Sequence, residues 1–340
     1  MTNKAGKRRS ITLGIKLVVT LLILWFLAHH SQLNFELFTS VFSKPWYALA
    51  IIGILSVSVI SNSLRWHRLN SVQGINLPFS RSVIATYISI AFNNVLPGSV
   101  GGDVVRCYYV MKHFPEQKSG AILSTFLDRV SGLLGIIVIT SVIALYRFDI
   151  FIANRSLFYI ISFCFGITLT AIMLFCLSLL LPRRISISHI LKQKFGHHRL
   201  FQPIASLLEA VSIYRNAKLV ILESLMFSII TQLILLAVIS LIINMMGLPD
   251  IPAYTDMMAL AIGQIANLIP LTPGGIGMGE AAFSNVILIF NPDVIGAYAT
   301  VFFAFRLFIT LIYLPGIVWG IFGFNLLNKN VDEHLITESV

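Results

Sequence analysis

Six ionisable side chains lie within or beside long apolar segments of this chain: Asp103, Arg106, Asp128, Arg129, Glu280 and Arg306. A charge in such a segment is costly, so it normally faces a cavity or an oppositely charged partner. Arginine stays charged when buried and binds phosphate oxygens through two parallel hydrogen bonds. These residues therefore indicate either an anion-binding site or a set of structural ion pairs.

The spacing of these charges leaves two interpretations open. Asp128 and Arg129 are adjacent, so on a helix they point about 100° apart and each needs a partner elsewhere. In the first interpretation Arg106, Arg129 and Arg306 bind an anionic substrate, and the three carboxylates are candidates for proton or ion coupling. In the second the arginines only pair with buried acids: Arg106 with Asp103, and Arg129 and Arg306 with Asp128 and Glu280.

Proline and glycine interrupt two of the apolar regions, 82–113 and 255–290. In both breaks a proline follows an asparagine by three positions, and a Gly-Gly pair follows that asparagine by seven and eight. The helix that starts after each glycine pair presents backbone amides that favour an anion. We therefore predict that the break residues contribute to a substrate site: Asn94, Gly101 and Gly102 in the first, and Asn267, Gly274 and Gly275 in the second.

The two breaks also belong to a longer repeat. Each break is followed by a span with a Phe-x-x-Arg motif, whose arginine is Arg129 after the first break and Arg306 after the second. The copies are 173 residues apart at the breaks and 177 at the arginines. Three spans separate the hairpins, and an odd number of crossings inverts the second copy, which is typical of secondary transporters. We predict a first repeat over 45–145 and a second, inverted repeat over 219–325. The alternative is that proline and glycine merely kink ordinary spans.

Composition places these features in a membrane protein. Of the 340 residues, 57% are hydrophobic and 11% charged, whereas about a quarter of the residues are charged in soluble domains. Segments that meet or approach the length of about 20 apolar residues needed to cross a bilayer lie near 11–28, 45–64, 119–145, 157–181, 219–246 and 294–325. The expected fold is one all-α polytopic membrane domain over 1–340, in which two re-entrant-type broken hairpins accompany these full spans.

The net charge of +10 predicts the orientation of this domain. With the N-terminus inside, 17 lysines and arginines lie on inner segments and 3 on outer loops, and basic residues concentrate in cytoplasmic loops. Arg65 is included among the 17 inner residues as a charge of a cytoplasmic loop. We predict a multi-pass inner (plasma) membrane protein with both termini in the cytoplasm, and a basic loop over 182–218 that lies on anionic lipid headgroups. Asp256 is expected to be a solvated charge or a helix cap, and nucleic acid is excluded as a partner.

Three motifs resemble those of the lysylphosphatidylglycerol synthase transmembrane-region family: Asn94-x-x-Pro-Gly-x-x-Gly-Gly-Asp103-x-x-Arg106, Asp128-Arg129-x-x-Gly132-Leu and Pro270-x-x-Pro-Gly-Gly-x-Gly277-x-x-Glu280. The resemblance extends from about residue 11 to 325. It implies a flippase-like inner-membrane protein that moves a lipid or lipid-linked headgroup between leaflets. In the multiple peptide resistance factors of this family a C-terminal domain makes the aminoacylated lipid. The chain ends shortly after its last span, so we expect no synthase activity.

The residues and the resemblance together favour a lipid flippase or transporter for an anionic phospholipid or lipid-linked headgroup, held near the midplane. No GxxxxGK[ST] motif is present, so the energy is expected to come from ion or lipid gradients. The alternative is a membrane-embedded enzyme of lipid or polyprenyl-phosphate-sugar metabolism, although the chain lacks HExxH and GxSxG. A structural role beside a membrane-bound synthase is a third hypothesis, and homo-oligomer formation stays open. No catalytic residue, metal or cofactor is predicted.

Overall fold

The computed structural model describes residues 43–95, 101–149, 217–268, 275–294 and 296–322, with short pieces and single residues at 25, 29, 34, 36–37, 158–159, 162–163, 165–170, 173, 214 and 272. These residues form helices and connecting turns without β-strands. The predicted span 11–28 and the basic loop 182–218 lie almost wholly outside them, and the predicted span 157–181 is described only in part. Gly274 and the segment 96–100 also lie outside the described residues.

Eight α-helices make up the described part of the chain: α1 (Pro45–Val72), α2 (Phe79–Val95), α3 (Gly101–His113), α4 (Lys118–Tyr146), α5 (Lys218–Met246), α6 (Ala253–Ala266), α7 (Met278–Phe290) and α8 (Tyr298–Phe322). A 3-10 turn over Pro115–Gln117 precedes α4. By length and composition, α1, α4 with this turn, α5 and the Tyr298–Gly316 part of α8 can cross a bilayer. The chain is therefore an all-helical, multi-pass membrane protein.

The helix lengths follow the same order twice along the chain. A long helix of 28 residues, two short ones of 17 and 13, and a long one of 29 are followed by helices of 29, 14, 13 and 25 residues. The short helices fall below the length of about 20 residues that a span requires. Both predicted broken regions do contain two half-length helices, because proline and glycine stop a helix that the surrounding apolar residues would otherwise continue.

The described residues fall into two compact units, which we treat separately. The first unit comprises 1–57, 90–102 and 233–317, and the second comprises 58–89, 103–232 and 318–340. Each has its own apolar core. In the first unit aromatic rings of Phe283, Phe302 and Phe305 stack between α7 and α8. In the second unit the core contains Trp66, Ile75, Leu77, Ala85, Tyr109, Val110 and Ala121.

A stripe of small residues on α4 lets this helix approach its neighbours in the second unit closely. Gly120, Ser124, Ser131 and Gly135 recur at spacings of about one or two helical turns and are buried. A Cβ atom on Gly135 would lie 2.6 Å from the Cβ of Ser228 on α5. Small residues at this spacing are typical of close helix packing in membranes. The stripe therefore sets the distance between α4 and α5.

One described residue of the predicted basic loop, Tyr214, packs against the second unit. Its hydroxyl donates a hydrogen bond of 2.8 Å to the Leu69 carbonyl, and its ring packs with Leu69 and Leu123. Burial raises the pKa of the Tyr214 phenol, because a buried phenolate loses its hydration. At this position the segment contacts protein.

We predict that Gly135→Ala destabilises the protein, because the added methyl group overlaps Ser228. Overpacking of this kind costs about 1–3 kcal/mol. Unfolding in mixed detergent micelles measures the loss. Gly53→Ala on α1 is the matched control, because a Cβ there meets nothing within 4 Å, and alanine exceeds glycine in helix propensity by about 1 kcal/mol. Equal stability of the two variants would contradict the close approach of α4 and α5.

Candidate functional site

Five charged side chains of the second unit form one continuous network, which we call the arginine cluster: Arg65, Asp103, Arg106, Asp128 and Arg129. Arg65 comes from α1, Asp103 and Arg106 from α3, and Asp128 and Arg129 from α4. Four of these residues were predicted from the sequence as site residues. The structure brings all four together, within one unit.

Asp128 is the centre of the arginine cluster. It is 4% exposed, and its two oxygens accept from two different guanidinium groups. Arg65 Nε lies 2.7 Å from Oδ1, and Arg106 Nη2 lies 2.6 Å from Oδ2. Two short charge-assisted hydrogen bonds offset the large cost of removing this carboxylate from water.

Arg65 is the residue that the sequence analysis missed. We expected a loop charge at this position, but α1 continues to Val72 and Arg65 is buried within it. Besides Asp128, its guanidinium donates to Ser228 Oγ on α5 at 2.9 Å. The assignment to a loop was wrong because the apolar run ends at Leu64 while the helix does not. The serines at 58 and 61 were an available signal, because they share a helix face with Arg65 and a polar face on a span indicates a buried polar partner.

Arg106 and Arg129 both bind Asp103, the third residue of α3. Arg106 Nη2 lies 3.1 Å from Asp103 Oδ1, which confirms the predicted pair. Arg129 Nη2 lies 2.6 Å from Asp103 Oδ2. The predicted alternative of an Arg129–Asp128 pair is therefore wrong, because neighbours on a helix point apart. Asp128 instead forms ion pairs with Arg65 and Arg106.

The arginine cluster is uneven in charge and exposure. Three arginines face two aspartates, so the five side chains carry one positive charge in excess. The side chains of Arg65 and Arg106 are 8% and 6% exposed, but that of Arg129 is 32% exposed. Arg106 also stacks over Trp66, with its Cζ 4.9 Å from the ring centroid, an additional cation–π stabilisation. The accessible guanidinium is thus that of Arg129.

The first unit contains a second, smaller site around Arg306 of α8. Its Nε donates to Glu280 Oε1 at 2.8 Å, as predicted for one alternative. Its Nη2 donates to Asn267 Oδ1 at 2.8 Å and to the Gly275 carbonyl at 3.2 Å. Glu280 is fully buried, and its Oε2 accepts the Gly277 amide at 2.7 Å. Arg306 and Glu280 together hold the break between α6 and α7.

Glycine is required at position 275 of this break. Its φ is +74°, in the left-handed region that side chains disfavour. A Cβ there would lie 2.8 Å from both the Cα and the Oδ1 of Asn267. The absence of a side chain lets Asn267 reach Arg306. In the first break the comparable contact is a cap, since Asn93 Oδ1 accepts the Gly102 amide at 2.9 Å. Position 94 belongs to α2, but its side chain lies outside the described residues.

The two sites share one construction. In each, an acid is the third residue of the half-helix after the break, Asp103 in α3 and Glu280 in α7. In each, the acid pairs with an arginine 26 residues later in the following long helix, at 2.6 Å for Arg129 and 2.8 Å for Arg306. The acid–arginine pair of the first site therefore recurs in the second site 177 residues later, which is the interval found between the two arginines in the sequence.

Asp256 differs from the expectation for it. We predicted a solvated charge or a helix cap, but Asp256 is only 4% exposed, and the N-cap position of α6 is Pro252. Its Oδ1 is buried and has no hydrogen-bond partner among the described residues. The prediction was wrong because α6 packs against α7, and Thr255 and Asp256 of its first turn are buried.

We predict that Asp128→Asn destabilises the protein by about 3–5 kcal/mol, since it leaves two buried arginines short of a counter-charge. Unfolding in mixed detergent micelles again provides the measurement. Glu223→Gln is the control, because Glu223 also pairs with an arginine of α1, Arg68, but at an exposed position where an ion pair contributes about 0–1 kcal/mol. Similar losses for both variants would show that Asp128 is not the centre of the network.

Comparison with known proteins gives a family match over most of the chain. The model of the family described as lysylphosphatidylglycerol synthase TM region matches residues 13–313. A UPF0104 membrane protein of Pyrococcus horikoshii is 23% identical over 142 residues, which cover 41% of this chain and 41% of that protein. The alignment thus spans well under half of the relative's length. No solved structure matches the chain.

Proposed function

The chain belongs to the lysylphosphatidylglycerol synthase TM region family, and from that premise we propose that it translocates an anionic phospholipid or lipid-linked headgroup between the leaflets of the inner membrane. The observation that carries this proposal is the arginine cluster. Three arginines gathered with two aspartates carry an excess of positive charge, which is expensive in a membrane protein. A bound anion supplies the charge that balances it.

Arg129 is the residue that we assign to headgroup binding. It is the most exposed arginine of the cluster, and it is anchored by one side to Asp103. Its planar guanidinium matches two phosphate oxygens. Asp103 keeps its second partner, Arg106, when Arg129 turns toward a phosphate. The site can therefore exchange an internal anion for a substrate anion without leaving a buried carboxylate unpaired.

We propose a different role for the Arg306 site. Its arginine and acid balance each other in charge, and Arg306 makes hydrogen bonds to Asn267, Gly275 and Glu280 around the break. These contacts support a role in holding the irregular backbone, which at membrane depth needs protein partners for its polar groups. Direct substrate contact by Arg306 remains a prediction from the sequence.

We also propose that the two halves arose by duplication and are inverted in the membrane. The repeated order of long, short, short and long helices supports a duplication, as does the acid–arginine pair that recurs with the same spacing of 26 residues. Inversion follows from the odd number of predicted spans between the hairpins. Broken helices at matching positions of inverted halves are the usual location of transporter binding sites.

Leaflet exchange in reconstituted vesicles tests the proposal. Vesicles that contain fluorescent phosphatidylglycerol, with or without the purified protein, are treated with a membrane-impermeant quencher. We expect the protein to accelerate exchange of this anionic lipid more than that of zwitterionic phosphatidylcholine. Identical exchange with and without protein, for both headgroups, would overturn the proposed function.

We predict that Arg129→Ala lowers the exchange rate about ten- to a hundredfold, the loss expected from removing hydrogen bonds to a charged group. Its melting temperature in detergent should stay near the wild-type value, because Asp103 retains Arg106. Arg68→Ala is the matched control, since it removes an arginine from an exposed pair on α1 and should leave exchange unchanged. Loss of folding in Arg129→Ala would instead indicate a structural ion pair.

A further inference from the structure

Among the described residues, the half-helices beside the two breaks and the long helices that follow them, α4 and α8, contain four acids, and three of these are bound to arginine. Asp128 and Asp103 belong to the arginine cluster, and Glu280 pairs with Arg306. An arginine partner stabilises the ionised carboxylate. These three acids were predicted as candidates for proton or ion coupling, and each makes a short ion pair with an arginine. The fourth acid, Asp256, is in a different situation.

Asp256 is buried in the first turn of α6 without an arginine or lysine bound to it in any described contact. The residue is 4% exposed, and its Oδ1 has no hydrogen-bond partner among the described residues. The residues that follow it, Met257 and Met258, are also buried. A carboxylate in such surroundings loses its hydration and gains little in return.

The groups that face Asp256 add no positive charge. Asp250, from the loop before α6, interacts with it through like-charge repulsion. From α8, Tyr298 lies close enough to sense the charge of Asp256, but its hydroxyl is directed to the Pro249 carbonyl at 2.9 Å. The charged residue of α7, Glu280, is held by Arg306. Among the described residues, no arginine or lysine is bound to Asp256.

The start of α6 gives only weak compensation. A helix N-terminus favours negative charge through its unpaired amides. Here the amides of Thr255 and Asp256 already donate to the Pro252 carbonyl, at 2.8 and 3.3 Å. The Thr255 hydroxyl accepts from Asn291 Nδ2 at 3.4 Å. The neutral, protonated carboxyl is therefore the favoured form of Asp256 in this conformation.

We propose that Asp256 is a proton-binding site, and that release of its proton is coupled to lipid translocation. The coupling rests on the proposed function, whereas the proton-binding site does not. Protonation lets the first turn of α6 remain buried, and deprotonation creates an unpaired buried charge that favours a conformation in which this turn reaches water. An ion gradient is one of the two energy sources expected from the sequence, and Asp256 offers one carboxyl group for such an ion-linked step.

Infrared spectroscopy tests proton binding without any transport. A protonated carboxyl has a C=O stretch that a carboxylate lacks, so the wild-type protein at neutral pH should show this band. We expect Asp256→Asn to abolish it and Glu223→Gln, which changes the acid of the exposed pair with Arg68, to retain it. The band should also disappear on alkaline titration. A wild-type protein without the band, or a band that persists in Asp256→Asn, would overturn the proton-binding site.

Vesicles with an imposed pH difference test the coupling. One proton per lipid converts a difference of about one pH unit into an up to tenfold asymmetry of phosphatidylglycerol between leaflets. We expect wild type and Glu223→Gln to build this asymmetry, and Asp256→Asn to exchange lipid without it. Exchange in wild type that ignores the pH difference would overturn the coupling. A response to a sodium gradient instead, lost in Asp256→Asn, would identify a cation site and overturn the proton assignment. The absence of exchange with the infrared band intact would overturn the proposed function and leave the proton-binding site standing.

Discussion

The second unit depends on one bridging interaction, in which Asp128 binds Arg65 with one carboxylate oxygen and Arg106 with the other. A buried carboxylate needs partners for both oxygens, and a buried guanidinium needs acceptors for its donors. Meeting both needs draws α1, α3 and α4 to one point. Gly132 of α4 lies against this interaction, because a Cβ built there would be 3.6 Å from the guanidinium of Arg65. Charge neutralisation thus dictates the packing, and the packing in turn excludes water from the charges.

The helices of this protein follow from hydropathy and from proline and glycine. Predicted spans at 119–145 and 219–246 agree with α4 and α5 to within one residue at either end, because the apolar runs end where polar residues begin. The broken regions also contain the expected half-helices. At Arg65 the same rule fails. A polar residue can continue a span when its charge is met inside the protein, and hydropathy carries no information about the partner.

Local geometry predicts a pairing of charges only where both partners lie on one helix, and the Glu280–Arg306 pair between two helices was predicted only as one of two alternatives. Asp103 and Arg106 are three residues apart, so local geometry brings them together. The partner of Asp128 lies 63 residues earlier in the chain, and only the packing of α1 against α4 brings the two side chains together. The same limit applies to Asp256. Its position in the first turn of a helix indicates exposure or capping, whereas the packing of α6 on α7 buries it.

The two acid–arginine pairs are alike in construction but differ in what surrounds them, and the difference explains how one design can serve two purposes. Around Arg306, a single acid and a single arginine cancel, and the remaining donors of the guanidinium reach Asn267 and Gly275 of the break. Around Arg129, a second acid and two further arginines extend the pair into a network with an excess charge. Because Arg106 also binds Asp128, it depends less on Asp103 for its counter-charge. Asp103 can therefore bind Arg106 and Arg129 at the same time. A carboxylate that is shared between two arginines binds each of them less strongly than a carboxylate with one partner. A guanidinium can therefore leave a shared carboxylate more easily and bind another anion, which supports our proposal that an external anion binds in the second unit.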